Sequence, residues 1–191
     1  MKDMNIYLCG VGGQGIGLLS EVLFRACHYA GHKVHGCDTH GLAQRGGSVV
    51  SNLRLGDSIH TPLVSDGEAD LIVALEMLEG YRAAAKMLAK GGTLLYYDAR
   101  YQPIDVRMKK NVYVTEQEIH RTVDSRDGNV KKLKDPDLPD PRMQNVVLLG
   151  QIVKMELVEG LAKDHVERAL NEVVPASARE VNIKVFNSHS A

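Results

Sequence analysis

The sequence predicts a single three-layer α/β/α domain on a mostly parallel sheet, spanning residues 1–191. Three observations predict it. Short apolar runs alternate with segments of helical period, the sign of βαβ units. A glycine-rich stretch stands between the first apolar run and the first helix. The 191 residues are enough for one substantial core and too few for two ordinary domains.

The elements follow in order. Asn5 to Cys9 is a short apolar run ending in glycines, read as the first strand. In Ile16 to Ala30, Ile16, Leu19, Leu23, Ala26, Cys27 and Ala30 keep helical spacing on one face, and Gly31 is the natural stop. Lys33 to Asp38 and Ser48 to Leu55 read as the next strands, with a turn at Gly56-Asp57. Asp70 to Leu75 is almost wholly apolar, as in a strand covered on both faces. A helix is expected over about Met77 to Ala89, ending at Gly91-Gly92, then strands at Thr93 to Asp98 and Asn111 to Thr115. Asp124 to Arg142 carries Lys131, Lys132, Lys134, five aspartates and three prolines without a core period, and reads as a charged surface excursion. Met143 to Glu159 is a helix apolar on most sides, which must be covered. Two shorter helices, at about Asp164 to Val173 and Ser177 to Phe186, flank Pro175.

Composition narrows the function. The chain is 44% hydrophobic and 25% charged, ordinary for a globular protein, and its 23 basic and 24 acidic residues leave a net charge of −1. That balance gives no electrostatic reason to expect nucleic acid or an anionic membrane as a partner. No apolar stretch approaches the roughly 20 residues that span a bilayer. The first strand follows Met1-Lys2-Asp3-Met4 directly, with no room for a signal peptide, so the cytoplasm is expected. Cys9, Cys27 and Cys37 form no C-x-x-C, and three thiols cannot supply the four ligands of an ordinary iron–sulfur cluster. His28, His32 and His35 read as a helix-end group rather than a zinc site, and Ser20 as a packing residue rather than a nucleophile. No metal site and no catalytic acid–base set is expected.

Two motifs carry the chemistry. Gly10-Val-Gly12-Gly13-Gln14-Gly15 fits G-x-G-x-x-G after a strand and before a helix, where free N–H groups favour phosphate. Asp38 lies 23 residues beyond Gly15, where a ribose-binding carboxylate would sit, so an independent NAD-binding enzyme is one reading. A tight turn that only packs is the other, and the amide of Gln14 suits an interface as well as it suits phosphate. The chain also lacks a plausible hydride-transfer site. In the second motif, Asp38-Thr-His40-Gly41-Leu-Ala-Gln44-Arg45-Gly46-Gly47-Ser48, three glycines are set among a histidine, a glutamine and an arginine. Such a segment permits close approach and directional, charge-assisted bonds.

Both motifs in this order, with Ser20 between them, resemble the gamma-type subunits of 2-oxoacid:ferredoxin oxidoreductases. The T-H-G-x-x-Q-R-G-G form is more similar to the beta subunit of indolepyruvate ferredoxin oxidoreductase than to the pyruvate or 2-oxoglutarate members. Pro62-Leu63, Gly67-Glu68-Ala69-Asp70, Leu75-Glu76 and Asn145-Val-Val-Leu-Leu-Gly150 extend the resemblance, although the family's segment before Asn145 is usually shorter. The resemblance implies a fold like domain III of pyruvate:ferredoxin oxidoreductase. It implies a cofactor-free small subunit, inactive alone, of an enzyme that oxidatively decarboxylates an aryl 2-oxoacid such as indolepyruvate to its acyl-CoA. The large (alpha) subunit then holds thiamine diphosphate and iron–sulfur clusters, ferredoxin takes the electrons through the complex, and coenzyme A is the co-substrate. Gly12, Gly13, Gln14, Gly15, His40, Gln44 and Arg45 are the expected contacts to the partner or to coenzyme A phosphates. An isolated chain can pair with itself in place of the partner. A binding module of the same fold without a catalytic partner remains the third reading.

Overall fold

Ile6 and Leu8 point to one side of the first strand and Tyr7 and Cys9 to the other, and both sides are covered. The computed structural model describes residues 3–39 and 47–191. Its strands are β1 (Met4–Val11), β2 (Val34–Thr39), β3 (Ser48–Leu55), β4 (Ala69–Ala74), β5 (Leu88–Tyr97) and β6 (Asn129–Leu133). They form one sheet in the order β2-β3-β1-β4-β5-β6. β1, β4, β5 and β6 pair in parallel, while β3 runs antiparallel to both of its neighbours, β1 and β2. Five strands therefore share one direction, so the sheet is mostly parallel, with β3 reversed within it.

One face of the sheet packs against α1 (Ile16–Tyr29), α5 (Gln144–Lys154), α6 (Lys163–Val173) and α7 (Ala176–Ser190). The other packs against α2 (Met77–Met87) and α4 (Glu116–Asp124). This gives the three layers expected. The apolar stripe of α1 is fully used: Leu19, Leu23, Ala26 and Cys27 are all buried. Gly31, at φ 88°, ends the chain's turn out of that helix. Among the described residues no helix is long and apolar enough to cross a membrane.

Several elements differ from the sequence reading: the helix expected over Met143 to Glu159 ends at Lys154, and the last helix runs past Phe186 to Ser190. Asn111 to Thr115 forms no strand; Val114 packs in the core and Thr115 caps α4 in a reciprocal box with Glu118. The sixth strand lies instead at Asn129–Leu133, inside the charged 124–142 segment. It pairs with β5 and shows Lys131 and Lys132 to solvent, as edge strands do. The helix expected to run to Ala89 stops at Met87, because Leu88 turns to extended backbone and opens β5 beside Ala69. A single further turn, α3 (Ile104–Arg107), stands in the long connection after β5.

Candidate functional site

The loop between β1 and α1 is held from within. Gly13 and Gly15 take φ of 101° and 85°, conformations that a side chain resists. A Cβ at Gly15 would also stand 2.6 Å from Asn145 Nδ2, which donates to the Gly15 carbonyl at 3.3 Å. Asn145 thus lets the start of α5 brace the loop. Gln14 is only 2% exposed. Its Oε1 accepts from the Val11 N–H at 2.7 Å, its Nε2 donates to the Leu75 carbonyl at 2.8 Å, and its own N–H donates to Val11 O at 3.1 Å. The Gln14 side chain, expected to reach a phosphate or a partner, lies inward here, and both ends of its amide tie the end of β1 to the end of β4.

The second motif meets the first at the same edge of the sheet. β2 and β1 run the same way with β3 reversed between them, so β2 ends and β3 begins at the edge where β1 ends. The Gly12 N–H donates to the Gly47 carbonyl at 2.9 Å, joining the two loops directly. His40, Gln44 and Arg45 lie outside the described residues. Gly12, Gly13 and Gly15 sit at the carboxyl edge, at the point where the connections of β1 and β4 leave to opposite faces, the usual ligand position in an open α/β sheet.

Side chains that the motifs did not indicate also line this edge. Glu79, 7% exposed, accepts from Ser48 Oγ at 2.6 Å and from Arg82 at 2.7 Å, and its carbonyl receives the Cys9 thiol at 3.6 Å. A cleft of about 690 Å³ opens here, with Val11, Ser48, Glu79, Arg82, Arg100 and Arg107 on its walls. Arg82 pairs with Glu79 at 2.7 Å and Arg100 with Asp98 at 3.3 Å, and Arg107 adds a further cation, so the walls favour an anionic group. The Glu79–Arg82 spacing of three is visible in the sequence as a helix pair, but nothing in it joins that pair to Ser48 or Arg100.

The dinucleotide reading loses its support. In such folds the carboxylate that takes the ribose ends a strand adjacent to the first. Here β3 separates β2 from β1, which moves Asp38 a further strand away, roughly 5 Å. Asp38 moreover accepts from Ser20 Oγ at 2.9 Å, which gives Ser20 its packing role. His32 is equally committed, with Nε2 2.7 Å from the Glu159 carbonyl. Cys9 and Cys27 are buried and Cys37 half-buried. Burial pushes the Cys27 thiol up to about 12, and burial with the nearby Glu79 and Glu76 charges pushes Cys9 well up. Among the described residues no three of His, Cys, Asp and Glu gather as a metal site would require.

Comparison with known proteins agrees with this geometry. Residues 5–189 match the family described as pyruvate ferredoxin/flavodoxin oxidoreductase. The chain is 35% identical over 98% of its length to indolepyruvate oxidoreductase subunit IorB of Pyrococcus horikoshii, covering 94% of that protein. It is 31% identical over 96% of its length to the subunit of the same name from Methanothermobacter thermautotrophicus, again covering 94% of it. The fold is similar to a keto/oxoacid ferredoxin oxidoreductase gamma subunit from Geobacter sulfurreducens (TM-score 0.65, 23% identity, 98% of this chain and 96% of that one). It also fits part of the 2-oxoglutarate:ferredoxin oxidoreductase of Magnetococcus marinus (TM-score 0.69, 17% identity, 99% of this chain and 30% of that one). A match over nearly the whole chain, on a fold whose two glycine loops meet at one edge, shows that this protein belongs to the pyruvate ferredoxin/flavodoxin oxidoreductase family.

Proposed function

We propose that this chain is the small subunit of a 2-oxoacid:ferredoxin oxidoreductase of the indolepyruvate type, working as one domain beside a larger subunit. The observation that carries this is the near full-length identity of 35% to an indolepyruvate oxidoreductase subunit. Thiamine diphosphate supplies the decarboxylation chemistry and iron–sulfur clusters the electron path, both in the larger subunit, with ferredoxin as acceptor and the cytoplasm as location. No residue of this chain is assigned an acid–base step; alone it is inactive and can pair with a second copy of itself. Its contribution is positional. The N-terminus of α1, with Gly13 and Gly15 before it, has no side-chain cap and stands at the carboxyl edge, suited to a coenzyme A phosphate. Arg82, Arg100 and Arg107 favour the same charge, and the sequence motif makes His40, Gln44 and Arg45 further candidate contacts. Gly12 and Gln14 act at one remove, by fixing the loop.

The test is reconstitution. The purified chain alone, the larger subunit alone and the two together are assayed for coenzyme A-dependent reduction of a viologen dye by indolepyruvate. Turnover is expected only for the pair. Turnover by the chain alone, or full turnover by the larger subunit alone, overturns the proposal.

A further inference from the structure

The connection after β5 does something that the glycine loops do not. Six large hydrophobic side chains stand exposed among the described residues, and four of them, Tyr101, Ile104, Met108 and Val112, fall in one stretch of twelve residues. Their exposures of 53%, 63%, 57% and 85% leave most of this apolar surface uncovered in the monomer. Concentration of this kind marks an interaction surface, whereas scattered apolar residues would not. The stretch is also anchored. Glu76, 1% exposed, receives the Tyr101 N–H at 3.1 Å and the Tyr113 hydroxyl on the same oxygen, while its other oxygen receives the Glu79 N–H at 2.8 Å. One buried carboxylate therefore ties both ends of the 101–113 arm to the start of α2. An arm fixed at both ends loses less conformational freedom on docking than a free loop does.

We propose that the 101–113 arm is the surface by which this chain grips its larger subunit, inserting Ile104, Met108 and Val112 into an apolar hollow rimmed by carboxylates. This rests on the functional reading above. Two observations name the occupant. The arm is continuous with the carboxyl-edge site, since Tyr101, Ile104 and Arg107 form part of its cleft. Arg107, Lys109 and Lys110 lie along the exposed apolar residues, while Arg100 beside them pairs with Asp98 at 3.3 Å, so the complementary rim is acidic. A second copy of this chain fits less well. Two arms related by a two-fold axis would bring these cations together. The chain's own cleft with an acidic rim, at Asp3, Asp70, Glu156 and Glu159, lies at the opposite edge of the sheet. Arm-in-cleft contact would be head-to-tail and would not close a dimer.

The test uses the full chain and the larger subunit in a binding titration. Ile104→Asp and Val112→Asp should each weaken assembly roughly 30-fold or more. Leu63→Asp, at an exposed apolar residue by the amino edge, should not, and all three should melt like the parent. Lys109→Glu with Lys110→Glu should slow association about tenfold at low salt, the difference shrinking as salt is raised. Parent-like binding by the arm variants overturns this surface while leaving the small-subunit reading intact. Failure of the unmodified chain to bind the larger subunit overturns that reading and this partner together. Arm variants that abolish only self-association assign the arm to a second copy instead.

Discussion

The hydroxyl of Tyr113 donates to the buried carboxylate of Glu76 across 37 residues of sequence. The same carboxylate N-caps α2 through the Glu79 N–H and holds the Tyr101 N–H. A side chain that ends a strand-to-helix turn thus also sets the path of the arm after β5.

Glu76→Ala removes one acceptor from three donors. The lost cap costs about 1 kcal/mol, and each unpaired donor to a charged acceptor adds roughly 1.5–3 kcal/mol. A total loss of about 4–7 kcal/mol is expected in urea unfolding. Tyr113→Phe should cost about 1.5–3 kcal/mol. Because both residues share one bond, the double variant should be less destabilised than the sum by roughly 1–2 kcal/mol. Strict additivity would show that the bond contributes nothing.

Gly15 and Asn145 make a second pair with a measurable consequence. Ala at position 15 would need the left-handed backbone and would drive its Cβ into Asn145 Nδ2. Gly15→Ala is expected to lower stability by about 1–3 kcal/mol from backbone strain alone. Asn145→Ala removes only the bond to the Gly15 carbonyl and should cost about 1 kcal/mol. Combining them should cost less than their sum, since truncating Asn145 makes room for the new methyl. Denaturant midpoints of the three variants decide it.

Much of this architecture is legible in the sequence. The periods of Ile16 to Ala30 and the apolar run Asp70 to Leu75 are core signals, and burial enforced both. β6 is not legible by that rule, because an edge strand buries little and guards itself with Lys131 and Lys132. Asn111 to Thr115 misleads in the opposite way: its β-branched residues suggest a strand, while Thr115-Glu-Gln-Glu118 is a capping box that announces α4. At the site, the glycines mark the edge correctly, but Gln14 is turned inward by two backbone partners that no local pattern names. Glu76, Arg82 and Arg100 become neighbours of the loop only through the sheet order.

Alkaline pH should weaken the fold. Burial first, then the charges of Cys9, Glu79 and Asp66, push Tyr7 up to about 12; burial, Glu116 and Asp98 do the same for Tyr96, against a smaller opposing effect of Arg100. An unfolded tyrosine ionises near 10. Between those values the folded chain holds more protons than the unfolded one, so the stabilisation is complete below about pH 10 and is lost as pH rises towards 12. Cys27, pushed by burial from 9.0 to about 12, acts in the same direction from a lower starting point. Urea midpoints should therefore be flat to about pH 9 and fall above it, with tyrosinate absorbance rising late. A Tyr7→Phe, Tyr96→Phe double variant that declines over the same range as the parent would remove these phenols as the cause.

The three thiols should separate by burial. Cys9 and Cys27 are 1% and 0% exposed, and their raised pKa values keep them protonated at neutral pH, so neither access nor thiolate is available to a reagent. Cys37, half-buried on the second strand, has access. An aromatic disulfide reagent at pH 7.5 should therefore modify one thiol promptly in the native chain and three after denaturation. Cys37→Ser should abolish the prompt phase and leave the slow two, which then report global opening. Prompt modification of two or more thiols in the native chain would show that the core around Cys9 and Cys27 opens locally.

Gln14 gives the test that separates loop architecture from ligand contact. Gln14→Leu keeps much of the side-chain volume but leaves the Val11 N–H and the Leu75 carbonyl buried without partners. Each unpaired group costs about 1–3 kcal/mol, so a loss of roughly 2–5 kcal/mol is expected in urea unfolding. Gln14→Glu keeps the acceptor for Val11 but sets a carboxylate oxygen against the Leu75 carbonyl, and at neutral pH it should be worse than Leu. Lowering the pH to protonate that carboxyl restores a donor and should recover part of the difference. In the reconstituted enzyme, Gln14→Leu should lower the amount of intact complex more than it raises the Michaelis constant for coenzyme A, because its amide faces inward. A coenzyme A effect of tenfold or more in a chain of parent-like stability would place the side chain at the ligand instead.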